Sequence, residues 1–517
     1  MEGSLHNLDT EVARFYHEST KHTEWSLRMN HHLLDFQNQP TPFKIYPTLE
    51  SVSLVRDFAP RARPALSVLS RGGGLTLPTE EERVPDLGVL SRVLFYSAVI
   101  IKRKRYPGGD VYFRAYPNTG ALYHIDLYLV CGDIPGLSAG IYHFGPHDFA
   151  LRRLRQGDYR EVLVEASGEE EHVARAPITL VSASTYWRNA WKYQARAYRH
   201  CFWDAGTLHA NLLAIAEAEG LGASVVTGFV DRRVEQLLGL EPAREGALTL
   251  VPLGYTSQRP ALAPAAMELE LKVQSLSRTE VDYPAIGEMH AASSLESAGQ
   301  ATAWRDVASK DELLAAPGRC FPLEPFRDEE LPSEPLESVI LRRGSTRYFD
   351  RKASISARQL ATVLDRTTRG VAADFLGAGG SRIDLYLIVH SVEGLPSGSY
   401  YYRRDECALE LLQAGDHREV AGRLGLFQEL AADAAVNVYC MTNLDSALAR
   451  FGNRGYRAVQ LEAGILGGRI YLSAYAQRFG ATGLTFLDDE VTQFFSPHAE
   501  GKSAMFLTAL GRSRKKS

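Results

Sequence analysis

The chain has 517 residues, of which 57 are basic and 62 acidic, so its formal net charge is −5 with neutral histidines. This near balance argues against a surface that binds nucleic acid or an anionic membrane. Five cysteines without a CxxC pair argue against a zinc ribbon or a disulfide framework and favour a reducing compartment. The sequence lacks an apolar signal region and any run near the roughly 18 apolar residues of a membrane span. We therefore expect a cytoplasmic protein.

A long internal repeat organises the sequence. Residues 124–158 recur without a gap as residues 382–416, at an offset of 258 residues. Two further pairs of blocks keep this offset: 191–206 with 449–464, and 222–234 with 480–492. Repeats of solenoid proteins have about 20–50 residues, so a period this long indicates a duplicated domain.

The first unit shows the predicted elements in chain order. Residues 125–131 (IDLYLVC) and 140–144 (GIYHF) have the composition of successive strands of a meander. Residues 178–184 (ITLVSAS) and 248–254 (LTLVPLG) predict two more strands, which frame a buried helix within residues 203–223. Glycines 220 and 222 are expected to stop that helix. Strands and helices in this mixed order predict an α+β layered domain rather than a doubly wound sheet.

Composition changes between the two units, where Ala, Ser, Glu and Pro dominate roughly residues 260–335. We predict a first domain over residues 1–262, a linker with one or two short helices over 263–334, and a second domain over 335–517. A linker of this length could wrap around the other half of the chain.

The clearest candidate for anion binding is LRRGSTRYFD at 341–350. On an extended backbone Arg343, Ser345 and Arg347 would point to one side and offer two guanidinium groups and a hydroxyl to a phosphate. Arg512 in the basic C-terminus could reach the same anion or belong to a frayed tail. The alternative for the whole motif is a solvated basic turn.

Two further segments could carry chemistry. The polar turn at 116–120 leads directly into a buried strand and could offer backbone N–H groups to a flat heterocycle, although most such turns are only connections. Lys192 and Tyr193 could donate or accept protons if burial shifts their pKa values. Without further information Lys192 and Arg196 are better read as i,i+4 neighbours on a solvated helix face.

Several common motifs are incomplete. The HExxxH sequence from His17 to His22 is one residue longer than the zinc motif HExxH, so we predict no metal site. No phosphate-binding GxxxxGK[ST] loop, no GxGxxG after a strand and no GxSxG elbow occurs. The sequence therefore contains none of the motifs that usually indicate nucleotide hydrolysis or α/β-hydrolase chemistry.

Taken together, these segments resemble the FMN-dependent nitroreductase superfamily, and within it the SagB/ThcOx-type dehydrogenases. The blocks that carry the resemblance are YHESTK (16–21), PFKIYP (42–47), YPNTGALYHIDLYLV (116–130), GIYHFGPHDFALRRLRQGD (140–158), WKYQARAYRH (191–200) and RRGSTRYFD (342–350). The resemblance implies a nitroreductase-like α+β fold whose domains pair, with FMN sites built from both partners. A tandem chain then implies an intramolecular pseudo-dimer.

The two halves depart from the family pattern in complementary ways. The second half keeps Arg343, Ser345 and Arg347, but its flavin turn has eroded: Phe375, Leu376, Gly377 and Ala378 align with Pro117, Asn118, Thr119 and Gly120. The first half keeps the turn but has no Arg-x-Ser-x-Arg before residue 116. Because each family site draws one part from each partner, the resemblance implies one FMN per chain. Its predicted contacts are Arg343, Ser345, Arg347, Pro117, Asn118, Thr119, Gly120, Thr482, Gly483, Leu484, Thr485 and Arg512.

Lys192 and Tyr193 match the catalytic acid/base pair of the azoline oxidases in this branch, whereas the second half has Arg450 and Phe451. The resemblance implies hydride transfer between a peptide or small metabolite and flavin N5. The sequence leaves open whether the pair faces the retained FMN site and whether chains associate further. The alternatives are an NAD(P)H-dependent nitro- or quinone-type reductase and, from another class, a flavin-free scaffold protein.

Overall fold

The fold was obtained as a computed structural model that describes residues 6–69, 81–106, 109–305, 318–377 and 380–514. Ala378 of the eroded turn and residues 70–77 of the first half, where an arginine motif was sought, lie outside these ranges. Within the described ranges no helix is both long and apolar enough to cross a membrane.

The first unit alternates helices and strands around a six-stranded sheet. Its helices are α1 (Glu11–Ser19), α2 (Glu24–Met29), α3 (Ala65–Leu69), α4 (Leu87–Ala98), α5 (Arg160–Ala166), α6 (Glu171–Arg175), α7 (Tyr186–Tyr193), α8 (Ala197–Ala218) and α9 (Asp231–Leu238). Its strands are β1 (Ser51–Ser53), β2 (Ile100–Tyr106), β3 (Gly109–Arg114), β4 (Ile125–Cys131), β5 (Gly140–Gly145), β6 (Ala150–Gln156), β7 (Ile178–Thr185) and β8 (Glu245–Leu253). Strands β2 and β3 form a separate antiparallel pair.

The connecting region and the second unit follow. The connecting region contains α10 (Pro284–Ala292), α11 (Ala298–Arg305) and β9 (Arg319–Pro322). The second unit has α12 (Leu336–Arg342), α13 (Ala357–Thr368), α14 (Arg418–Leu424), α15 (Glu429–Asp433), α16 (Leu444–Phe451), α17 (Arg454–Ala476) and α18 (Asp488–Phe495). Its strands are β10 (Ile355–Ser356), β11 (Asp384–Val389), β12 (Val392–Glu393), β13 (Gly398–Arg403), β14 (Ala408–Ala414), β15 (Val436–Thr442), β16 (Gly480–Leu484) and β17 (Ser503–Gly511).

Each half builds its own antiparallel sheet. The first has the strand order β1-β6-β5-β4-β7-β8, and the second has the order β16-β17-β15-β11-β13-β14-β9. The central strands of both sheets are buried along almost their whole length, as their uninterrupted apolar sequences predict. Helices interspersed with antiparallel sheets confirm the α+β class. Strand β9 comes from the span predicted as linker and pairs with β14.

The strand registers repeat at the sequence offset. Tyr128 of β4 faces Val181 of β7, and the residues 258 positions later, Tyr386 and Tyr439, face each other in β11 and β15. Shifting β11 by one residue would send its apolar side chains to the opposite face of the sheet. The shared register therefore shows that the duplicated sequences fold into the same unit.

Helices α8 and α17 pack against each other at the contact between the two halves. Gly206 of α8 lies so close to α17 that a Cβ atom would come within 2.6 Å of the Leu461 carbonyl oxygen. Gly464, 258 positions later, lies in the same relation to α8, where a Cβ would be 2.5 Å from the Trp203 carbonyl oxygen. Only glycine permits backbones to approach this closely.

Buried ion pairs link the two halves reciprocally. Arg199 of α8 donates from Nη1 to Oδ1 of Asp488 at 2.7 Å, and Arg457 of α17 donates from Nη1 to Oδ1 of Asp231 at 2.6 Å. All four side chains are almost completely buried, and the arginines lower the pKa of both carboxyl groups. Breaking one partner of such a pair leaves an unpaired buried charge, so these contacts hold the halves in one orientation.

Candidate functional site

The arginine motif of the second half contacts the two residues that immediately precede the polar turn of the first half. Arg343 follows α12, is buried, and donates from Nε to the Ala115 carbonyl oxygen at 3.2 Å and from Nη2 to that of Arg114 at 3.1 Å. Burial lowers the pKa of Arg343. Two segments that are more than 220 residues apart in sequence therefore meet at one place.

Tyr471 of α17 connects the arginine motif with the loop at the end of β16. Its hydroxyl lies 3.1 Å from Oγ of Ser345 and accepts a hydrogen bond from the Gly483 N–H at 2.5 Å. The Arg343 guanidinium carbon lies 5.7 Å from the centroid of the Tyr471 ring. Sequence reasoning missed Tyr471, because its position in a wholly buried helix gives it the appearance of a core residue. Thr482 is buried, whereas Gly483 is exposed.

The turn at 116–120 is fixed by its own hydrogen bonds. Oδ1 of Asn118 accepts from the Tyr123 N–H at 2.8 Å, and the Pro117 carbonyl accepts from the Thr207 hydroxyl at 2.6 Å. Thr119 donates both its N–H and its hydroxyl to Oδ1 of Asp204, at 2.9 and 2.8 Å. These bonds present the Asn118 amide and Gly120 to the adjacent space.

Lys192 and Tyr193 end α7 beside this turn. A Cβ on Gly120, whose φ is +65°, would lie 2.8 Å from the Tyr193 hydroxyl oxygen. Partial burial and then the positive charge of Arg347 lower the pKa of Lys192. Burial and then the negative charge of Asp204 raise the pKa of Tyr193. Tyr193 thus lies next to the first-half turn, and the positive charge of Arg347 in the second-half arginine motif acts on Lys192.

The interpretation of Lys192 and Arg196 as neighbours on a solvated helix face is wrong. The helix stops at Tyr193 because Gln194 has a φ of +51°. Arg196 turns inward, is buried, and donates to Oδ2 of Asp488 at 3.0 Å. The Lys192 side chain is partly desolvated by its neighbours but still reaches solvent. The two side chains have different environments.

Not every predicted residue joins this group. Arg347 is exposed, and among the described residues no hydrogen bond engages its guanidinium. Arg512 directs Nε to the Ser354 carbonyl oxygen at 3.5 Å, and within the described ranges it makes no hydrogen bond with Arg343 or Ser345. Leu484 and Thr485 are half-buried beside Gly483.

Buried polar atoms of the turn and of the loop after β16, the Tyr116 hydroxyl among them, face no partner among the described residues. Nδ2 of Asn118, from the first half, and Oγ1 of Thr485, from the second, are inaccessible to solvent and make no hydrogen bond within the described structure. A buried polar group without a partner costs about 1–3 kcal/mol, so such atoms usually mark a bound ligand or water. The donors, the nearby arginines and the turn fit a polar, anionic, planar group such as FMN.

At the positions related by the 258-residue offset, the two halves are joined by direct hydrogen bonds. There the loop 224–228 of the first half and residues 372–374 of the second bond directly, with Val225 donating to the Ala372 carbonyl at 2.8 Å. The carboxylate of Asp374 accepts the Thr227 N–H at 2.9 Å and the Gly228 N–H at 2.7 Å. By contrast, no hydrogen bond between described residues joins 116–120 to 482–486.

The connecting helix α11 adds contacts at the same positions. The Trp304 ring centroid lies 5.2 Å from that of Phe451 and 6.5 Å from that of Phe375. Its Nε1–H donates to the Phe451 carbonyl oxygen at 2.9 Å, and Arg305 donates to that of Gly228 at 2.9 Å. Phe375 and Phe451 correspond to Pro117 and Tyr193, so α11 packs against the counterparts of both segments, beside a cavity of about 180 Å³ lined by Trp304, Arg450 and Phe451.

One buried cluster has metal-ligating residue types. Asp231, Glu235 and His290 bring potential ligand atoms within 4.8 Å of one another. However, Asp231 already accepts from Arg454 and Arg457, whose positive charges oppose a cation. This cluster belongs to the contact between the halves.

Comparisons with known proteins agree with the duplicated fold. The family model described as "Nitroreductase family" matches residues 94–255 and 340–510. Two relatives carry the name "putative nitroreductase". One, with a crystal structure from Anabaena variabilis, is 26% identical, has a TM-score of 0.77, and aligns over 97% of this chain and 99% of its own. The other, MJ1384 of Methanocaldococcus jannaschii, is 28% identical over 142 residues, or 28% of this chain and 70% of MJ1384.

A third relative points to a branch. The microcin B17-processing protein McbC of Escherichia coli is 28% identical over 136 residues, which are 25% of this chain and 49% of McbC. The chain thus spans about half the length of this relative. The similarity to McbC supports the SagB-type branch. Since the family model covers most of the chain in two copies, the chain belongs to the nitroreductase family and carries its domain twice.

Proposed function

We propose that this chain is an FMN-dependent oxidoreductase of the SagB/ThcOx type that binds one FMN in a composite site. The observation that carries the proposal is the contrast between the two related places. One is sealed by the Asp374 carboxylate, whereas the other leaves Asn118 Nδ2 and Thr485 Oγ1 buried without partners. A planar ligand with several acceptors would satisfy both atoms.

Residues of both halves would hold the cofactor. Arg347, which is exposed and unbonded among the described residues, is placed to meet a phosphate, with Arg343 and Ser345 beside it. Asn118 Nδ2 and the loop at Thr482, Gly483, Leu484 and Thr485 would face the remaining polar atoms of the ligand. Because the Arg512 side chain is directed at the Ser354 carbonyl oxygen, Arg512 would contribute less to phosphate binding than Arg343 and Arg347. FMN would supply a hydride acceptor at its N5 atom.

Lys192 and Tyr193 would accept or donate the proton that accompanies hydride transfer. The raised pKa keeps the Tyr193 hydroxyl protonated at neutral pH, so this group can donate a hydrogen bond or a proton. The lowered pKa of Lys192 makes its amine easier to deprotonate, so it can accept a proton. Both lie beside the turn at Gly120, where a substrate carbon would be oxidised.

The substrate class follows from the family branch. McbC is named for the processing of microcin B17. We propose that this chain similarly dehydrogenates a carbon–nitrogen or comparable bond in a peptide or small metabolite. The two halves would form the pseudo-dimer within one chain that such a composite site requires.

The test is the visible spectrum of the purified protein, followed by denaturation and quantification of released flavin. One FMN per chain supports the composite site, while two per chain would contradict the closure at Asp374. No flavin after reconstitution with excess FMN would favour the scaffold alternative. Oxidation of NAD(P)H with a nitro or quinone acceptor, without activity on peptides, would favour the reductase alternative.

A further inference from the structure

A buried carboxylate on α8 connects the polar turn with the core. Oδ1 of Asp204 accepts both Thr119 bonds, and its Oδ2 lies 2.9 Å from Nε2 of His124. Nδ1 of His124 lies 2.9 Å from Oγ of Ser184 on β7. Asp204, His124 and Ser184 are all almost completely buried. The turn is therefore tied to both the central helix and the sheet through one side chain.

The hydrogen bonds between Asp204 and Thr119 fix the position of Asn118 relative to Tyr193. Thr119 stands between Asn118, whose Nδ2 has no partner, and Gly120, which lies against the Tyr193 hydroxyl. Fixing the N–H and the hydroxyl of Thr119 leaves the turn little freedom, so Asn118 and Tyr193 keep a defined separation. Without the carboxylate, two donors of Thr119 would lose their acceptor.

The second half offers a natural comparison. Glu462 stands 258 positions after Asp204, but it accepts the Arg382 N–H at 3.0 Å and the Ser381 hydroxyl, which lie five and four residues beyond the counterpart of Thr119. Arg382 replaces His124, and the place beside it is closed by Asp374. Glu462 thus holds the start of the second-half strand, at the positions of Tyr123 and His124, rather than the residue that corresponds to Thr119.

We infer that Asp204 is a positioning residue that orients the Asn118–Gly120 turn toward the bound cofactor and Tyr193, whereas its counterpart Glu462 only stabilises the fold. This inference rests on the proposed function. It adds a residue that acts through Thr119 and His124, without touching the ligand.

The test compares Asp204→Ala with the matched control Glu462→Ala and the conservative variant Asp204→Asn. FMN affinity is measured by quenching of flavin fluorescence, and thermal unfolding and amide exchange are measured on the same apo proteins. We expect Asp204→Ala to weaken FMN binding by about tenfold or more, and Glu462→Ala by less than about twofold, although both lower the unfolding midpoint. Asp204→Asn should recover most of the affinity, because its amide oxygen still accepts from Thr119.

Amide exchange supplies a readout that needs no ligand. Peptides covering 117–122 should exchange faster in Asp204→Ala, and peptides covering 381–383 should do so in Glu462→Ala. Equal loss of FMN affinity in the two alanine variants, or unchanged exchange at 117–122, would overturn the positioning role. A wild-type protein that binds no FMN would instead refute the proposed function, and with it the orientation toward a cofactor.

Discussion

Replacing Arg347 by alanine separates the phosphate contact from the stability of the fold. Arg343 is unsuitable for this purpose, because its guanidinium also satisfies the carbonyl oxygens of Ala115 and Arg114. Arg347 is exposed and has no hydrogen-bond partner among the described residues, so its removal leaves no buried group unpaired. Its removal should therefore weaken the binding of the phosphate and change the pKa of Lys192.

The size of the effect follows from the kind of bond. A hydrogen bond to a charged group contributes about 1.5–3 kcal/mol, and we take the lower end because Arg347 is exposed and screened by solvent. About 1.5 kcal/mol corresponds to roughly tenfold weaker FMN binding. The positive charge of Arg347 lowers the pKa of Lys192, so its removal should raise that pKa. A step that needs neutral Lys192 would then begin at higher pH.

Arg342→Ala is the matched control. Arg342 is adjacent in the motif and exposed, but it bonds to Glu334 and to the Tyr475 carbonyl oxygen at 2.7 Å. FMN affinity, measured by flavin fluorescence at low and high salt, should fall only in Arg347→Ala, and the difference should shrink as salt rises. Equal affinities of the two variants at low salt would refute the assignment of Arg347 to the phosphate.

Three further predictions concern catalysis, packing and pH. Tyr193→Phe should retain FMN but slow turnover by about 10²–10⁴-fold, and unchanged turnover in steady-state assays would exclude an acid/base role. Gly206→Ala should lower the free energy of unfolding by about 2 kcal/mol or more, because its Cβ would meet the α17 backbone, whereas Gly287→Ala, with open space around it, should be neutral or slightly stabilising in chemical denaturation. The arginines that pair with Asp231 help hold its folded-state pKa at about 2, below an ordinary value near 3.8. Because that pKa is depressed, the stabilisation is present above pH 4 and is lost as pH falls toward 2. The loss is on the order of 2 kcal/mol and can be followed by acid titration of the unfolding midpoint, with Asp231→Asn lacking this component.

The duplication, the α+β class and the main elements could be predicted from the amino-acid sequence alone. Apolar runs such as 125–131 and their copies at an offset of 258 residues are local features, so their strands could be read directly. The helix predicted within 203–223 exists, although it begins earlier, at Ala197, and ends at Ala218 before Gly220. The two motifs that meet through Arg343 could also be named, because the family resemblance depends on short contiguous blocks.

The contacts between segments that are distant in sequence became visible only in the folded chain. The fold brought Lys192 under the influence of Arg347, placed Tyr471 between Ser345 and Gly483, and tied Thr119 to Asp204. It also closed the counterpart place with Asp374 and with Trp304 from the connecting helix. Each of these contacts joins residues that are tens to hundreds of positions apart. Local periodicity specifies which face of an element is buried, but the packing of helices and sheets selects the distant side chains that meet there.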